Sequence, residues 1–151
     1  MMKSVPRVKN PYVLGSLFYS FFWGTYGVFE PFINPYFQKI GLSGAQIGVL
    51  LSLPPLVAVV IAPLVSSLAD RKGWRAPILV GWSLVVGLLY FFYQYPRSFQ
   101  GIFIFTLLIA LVRGPTQPLA DSLILRMASK YQIDFGRMRL WGSFFYASFA
   151  A

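Results

Sequence analysis

Charge is confined to a few short stretches of this chain, and the runs between them are apolar. From Asn10 to Gln38 the one charged side chain is Glu30, and none stands from Ile40 to Ala69 or from Ala76 to Pro96. A helix needs about 20 mostly apolar residues to cross the hydrocarbon core of a bilayer. The pattern therefore predicts helices over 11–37, 44–68, 76–96 and 99–128, with a fifth starting near 136 and running to 151. Short alternating segments, the mark of a membrane β-barrel, are missing from these runs. The fold class expected is all-α and integral to a membrane: a cytoplasmic tail over 1–10, then a helical domain over 11–151. The last apolar run, Leu140–Ala151, gives only about 18 Å of helix at ~1.5 Å per residue. It is too short to cross, and the chain reads as the N-terminal part of a longer protein.

The basic residues orient the helices. Lys3, Arg7 and Lys9 precede the first helix; Arg71, Lys72 and Arg75 follow the second; Arg126, Lys130 and Arg137 lie between the fourth and fifth. Only Lys39 and Arg97 fall on the opposite side. Lys and Arg accumulate in cytoplasmic loops, so a cytoplasmic N-terminus is expected. The first run is long and broken by Glu30, Pro31 and Pro35, unlike a cleaved signal peptide.

Composition narrows the chemistry. Of 151 residues, 57% are hydrophobic and 11% charged, against about a quarter charged in soluble domains. Cys and His are absent, which excludes disulfides, thiolate or imidazole metal sites and Ser/His or Cys/His catalysis. The four acids, Glu30, Asp70, Asp121 and Asp134, form no spaced motif. No enzyme, metal or cofactor is expected. The net charge of +9 sits in the gaps between apolar runs, as membrane topology signals do, and not in a nucleic-acid patch. Prolines interrupt three of the four full helices: Pro31 and Pro35, then Pro54, Pro55 and Pro63, then Pro115 and Pro118 after Gly114. Each removes a backbone hydrogen bond and favours a bend.

Four charges enter the apolar runs. Glu30 lies roughly 10 Å inside the outer end of the first helix, at ~1.5 Å per residue. Arg113 falls fourteen residues into the fourth helix, with Asp121 eight residues further, and Arg139 stands just inside the fifth. A charge at mid-bilayer costs about 2.5–3.5 kcal/mol by insertion scales and is a functional candidate by default. Structural readings stand beside the functional ones. Glu30 can sit neutral in a wetted helix end, and Arg113 can answer an acid elsewhere. Asp121 can pair with Arg126 or Lys130, and Arg139 can snorkel to the interface. A tight turn through "SKYQID" would bring Asp121 and Arg139 level on adjacent antiparallel helices, as an ion pair or as two hands on a solute.

The loop "SSLADRKGWRAPIL", Ser66–Leu79, resembles the cytoplasmic LADRxGRR-type motif of the major facilitator superfamily. Asp70, Arg71, Gly73 and Arg75 match it; Ser66 and Ala76 depart from it. The segment "PLADSLILRMASKYQIDFGRMRLWGS", Pro118–Ser143, is similar to the phenylpropionate permease-like branch, which is related to the lactose permease. "PFINPYFQKIGLSGAQIGVL" is similar to the same branch, so the resemblance covers nearly the whole chain.

That resemblance implies a secondary transporter, with a small-molecule solute, protons and the lipid bilayer as its partners. It also implies a bacterial inner-membrane location and a monomer as the working unit. In the lactose permease an acid of the fourth helix and the second arginine of FGRxR, eighteen residues apart, hold the sugar hydroxyls. Asp121 and Arg139 keep that separation. Seven residues on, where that permease stacks a tryptophan on the sugar, Tyr146 stands here. The resemblance thus makes Asp121, Arg139 and Tyr146 candidates for binding or coupling, with Glu30 and Arg113 added from their depth. Asp70, Arg71, Gly73 and Arg75 become the cytoplasmic gating loop. An aromatic acid such as phenylpropionate, a sugar or a nucleoside is the expected solute. The competing reading is a multi-pass structural or assembly subunit in which buried charges only join helices.

Overall fold

The computed structural model describes residues 9–151 and is helical between short turns. The helices are α1 (Pro11–Lys39), α2 (Gly44–Lys72), α3 (Arg75–Phe92), α4 (Phe99–Arg113), α5 (Thr116–Tyr131) and α6 (Phe135–Ala150). Lys3 and Arg7 of the expected tail lie outside the described residues. Among the described residues three segments are long and apolar enough to cross a membrane: Gly44–Lys72, Arg75–Phe92 and Phe99–Tyr131, where α4 and α5 run on as one stretch. Four full crossings were expected. The first, α1, has the length, at 29 residues, but is not among these three.

Local chemistry sets most helix ends. Pro11 opens α1 at a first-turn position where its missing N–H costs nothing. Ser43 and Gln46 form a reciprocal box at the start of α2: the Ser43 N–H donates to Gln46 Oε1 at 2.9 Å, and the Gln46 N–H to Ser43 Oγ at 3.4 Å. At its other end the Trp74 N–H reaches back to the Ala69 carbonyl (3.0 Å) and the Gly73 N–H to that of Asp70 (3.4 Å). This closure needs a left-handed residue, and Gly73 supplies it with φ 67°. The same pair of bonds closes α5, but with Gln132 in the left-handed position at φ 52°.

One helix expected over 99–128 is two. Pro115 and Pro118 have no N–H for the carbonyls of Leu111 and Gly114, four residues before each. The hydrogen-bond ladder therefore lapses at Gly114–Pro115, although Gly114 keeps helical angles (φ −49°, ψ −47°). Thr116 answers part of the loss, its hydroxyl donating to the Arg113 carbonyl at 2.6 Å.

The chain forms two compact units: residues up to Ile33 with Ile124–Ala151, and Asn34–Leu123. In the first, Tyr19, Ile124, Ala128 and Met138 make the buried core, with Phe18, Trp23, Met127, Ile133 and Phe135 packed on it. A Cβ on Gly142 would lie 2.5 Å from the Trp23 ring, so α6 meets α1 there only as glycine. In the second unit α4 packs on α2 and α3, burying Leu50, Ile102, Ile109 and Ala110. Large apolar side chains remain on the outside, among them Phe21 at 70% exposure and Val59 at 75%. Water would penalise such a surface; lipid does not.

Candidate functional site

The loop between α2 and α3 holds an ion pair. Asp70, in the last turn of α2, accepts a charge-assisted hydrogen bond from Arg75 Nε at the start of α3. The Arg75 side chain is only 11% exposed while that of Asp70 is 47% exposed, and Arg75 Nη1 is buried without a hydrogen-bond partner among the described residues. Arg71 is exposed. Lys72 places Nζ 4.8 Å over the Trp74 ring, a cation–π contact. The four motif residues thus divide their work: one makes the turn, two pair, and one stays at the surface.

Within the first unit, Glu30 and Tyr146 come together. The Tyr146 hydroxyl donates to Glu30 Oε2 at 3.4 Å, joining α1 to α6 across 116 residues of sequence. Their meeting depends on Gly27, where a Cβ would lie 2.6 Å from the Tyr146 carbonyl oxygen. The two backbones touch at that point, and any side chain at 27 would push α6 away. A second cross-link of the same two helices runs from Trp141 Nε1 to the Tyr12 hydroxyl, 3.2 Å. Nothing in the sequence singles out Tyr12 and Trp141 as partners.

Arg139 and Met138 are neighbours with opposite fates. Met138 is fully buried in the core beside Tyr19, so Arg139, next along the helix, is turned outward and exposed. No side chain pairs with Arg139 among the described residues. Arg137 sits 3.8 Å from Asp134, both exposed. Asp134 itself is the N-cap of α6, accepting from the N–H groups of Gly136 (2.8 Å) and Arg137 (3.3 Å).

The second unit holds Arg113 and Asp121. Arg113 Nη1 donates to the Tyr90 hydroxyl at 2.9 Å, tying α4 to α3. Because the ladder lapses after it, Arg113 is the last residue of α4, where the negative end of the helix dipole favours a cation. Arg113, just before the Gly–Pro interruption that the sequence shows, therefore has a helix end to serve. Asp121 lies half-buried on α5. A polar pair that sequence reasoning missed lies in the same unit: the Tyr93 and Thr106 hydroxyls are 2.7 Å apart and buried. Thr106 spends its own proton on the Ile102 carbonyl, 2.8 Å away, so Tyr93 is the donor between them. Among the described residues no three acidic side chains gather as a metal site.

A family model described as "MFS_1 like family" matches residues 12–151. The maltose permease of Geobacillus stearothermophilus is 32% identical over 132 residues, 87% of this chain and 34% of that protein. A probable 3-phenylpropionic acid transporter of Escherichia coli (strain K12) is 29% identical over 134 residues, 85% of this chain and 34% of that protein. The sucrose permease of Escherichia coli is 24% identical over 136 residues, 85% of this chain and 31% of that protein. The chain thus spans about a third of the length of these relatives. No solved structure is significantly similar to it.

Proposed function

The chain belongs to the MFS_1 like family of the major facilitator superfamily, and on that premise we propose that it is the solute-binding N-terminal part of a secondary transporter. The intact protein carries a small organic solute across the membrane, coupled to protons, with its N-terminus in the cytoplasm. Relatives named as permeases for maltose and sucrose, and as a probable transporter of 3-phenylpropionic acid, bracket the solute between sugars and aromatic acids. The observation that carries this reading is Arg139, a permanent cation in an apolar helix, turned away from the buried core that holds Met138. A charge so placed is costly unless an anion, water or a polar solute answers it.

Asp121 and Arg139 take the roles of solute-holding acid and base. Arg113, bonded to Tyr90 and ending α4, is structural. Asp70, Arg71, Gly73 and Arg75 form the cytoplasmic gating loop. Solute uptake by the intact protein tests the assignment. Asp121→Asn and Arg139→Ala are each expected to lower uptake at least tenfold at unchanged membrane abundance, whereas Arg113→Ala lowers abundance. Normal uptake in the first two variants would remove both residues from the site. Loss of abundance in place of flux would favour a structural subunit.

A further inference from the structure

Two apolar spans meet at the α2–α3 turn. One ends at Lys72 and the next starts at Arg75, so only Gly73 and Trp74 lie between them. A turn that short cannot leave the membrane surface. With both helices crossing the hydrocarbon, it lies in the headgroup layer, roughly 5–7 Å deep on each side. Gly73, in its left-handed conformation, reverses the chain there, and Trp74 is 54% exposed. An indole has an apolar body and one N–H donor, which suits it to the boundary between acyl chains and headgroups. Neither Lys72 nor Trp74 is one of the four motif residues, so the gating loop leaves both without a task.

Charge at this turn is one-sided. From Ser66 to Leu79 the cations are Arg71, Lys72 and Arg75, and the one acid is Asp70. Arg75 pairs with Asp70, which leaves Arg71 and Lys72, both exposed, in excess. The turns at the other ends of α2 and α3 carry one cation each, Lys39 and Arg97. Lys72 is also held in place, its Nζ 4.8 Å over the Trp74 ring. The ring face answers one side of the ammonium, and the N–H donors on its other sides remain for an anion. A lysine already fixed on a ring loses less freedom on binding than one on a free four-carbon stem. The pair therefore sets a cation beside an apolar ring, in the order that a phospholipid presents its phosphate and the start of its acyl chains.

We infer that Lys72 and Trp74, with Arg71 beside them, form a binding site for the phosphate of an anionic phospholipid in the leaflet that this turn faces. The inference needs α2 and α3 to cross the membrane and nothing of the solute or its coupling. Purified intact protein, extracted from vesicles of phosphatidylcholine and phosphatidylglycerol, tests it by the lipid that native mass spectrometry finds retained. Wild type is expected to retain phosphatidylglycerol in preference to phosphatidylcholine, and its melting temperature to rise with the phosphatidylglycerol fraction. Lys72→Gln is expected to weaken phosphatidylglycerol binding about fivefold, the weight of one cation at an anionic surface. Lys72→Arg, which keeps the charge and stacks on a ring as well, restores it. Trp74→Ala weakens it several-fold with every charge in place. Lys39→Gln, at the opposite end of α2, leaves it unchanged. Equal retention of the two lipids by wild type overturns the site. So does an equal loss in Lys72→Gln and Lys39→Gln, which would mark a diffuse effect of net charge. If inorganic phosphate displaces phosphatidylglycerol and stabilises the detergent-solubilised protein as well as the lipid does, the site is one for soluble phosphate and the lipid assignment is overturned. Solute uptake, measured separately, decides the transporter reading whichever way the lipid result falls.

Discussion

Two turns in this protein are written with nearly the same residues and built on different physics. "ADRKGWR" joins α2 to α3, and "IDFGRMR" leads into α6. Each holds an acid, a glycine and an arginine. In the first, Asp70 belongs to the end of a helix, and its partner is the largely buried side chain of Arg75. In the second, Asp134 stands before a helix, and its main partners are two backbone N–H groups. Gly73 takes a left-handed conformation with open space where a Cβ would be; Gly136 is simply part of a helix. The lesson is that an acid next to a base in sequence carries no fixed meaning. An acid at a helix C-terminus opposes the dipole and needs a cation, whereas at an N-terminus the backbone itself supplies the donors.

The largest test of that contrast replaces each acid by its amide. Asp70→Asn leaves the guanidinium of Arg75 buried without its counter-charge. A fully buried pair broken this way costs 3–5 kcal/mol, and the half-exposure of Asp70 reduces the expected loss to about 2 kcal/mol. Asp134→Asn should cost under about 0.5 kcal/mol, because Asn caps a helix N-terminus as well as Asp does. Thermal unfolding of the purified intact protein measures both. Equal losses would mean that the two acids do the same work after all.

The glycines give the next contrast. Gly73→Ala forces a left-handed alanine and should cost about 1–2 kcal/mol. Gly136→Ala gains helix propensity of up to about 1 kcal/mol, set against a Cβ 3.1 Å from Asp134 Oδ1, and should come out near neutral. A Gly73→Ala protein as stable as wild type would show that the turn has a second conformation available. The smallest effect belongs to Arg137. Its pair with Asp134 is 3.8 Å long, with the two side chains 76% and 62% exposed. Arg137→Ala should therefore cost no more stability than an exposed pair provides, below about 0.5 kcal/mol. A larger shift would place Arg137 in a contact beyond the described residues.

Much of the fold is legible in local sequence. The charge-free runs locate α2 and α3 to within a few residues, because a spanning helix depends only on local hydrophobicity and its own backbone bonds. Caps are equally local: Ser43 and Gln46 lie three residues apart, and Gly73 follows its helix directly. The sequence offers candidate site residues and not their arrangement. Glu30 and Arg113 stand out as charges in apolar runs and Tyr146 through the family resemblance, but their partners do not. Tyr146 is 116 residues from Glu30 and Tyr90 is 23 from Arg113, and no pattern of spacing links positions that far apart.

The sequence by itself determined a helical membrane chain of this family, the glycine turn between α2 and α3 and the short list of charges worth explaining, since each follows from neighbours within a helical turn or two. Tertiary structure decided which of those charges are used up. It bonded Arg113 to Tyr90 at a helix end that the prolines create. It turned Arg139 outward by burying Met138, and it set Tyr146 against Glu30 through a contact that only Gly27 permits. Those choices depend on how closely two backbones approach, and that distance is a property of packed helices, not of any one of them.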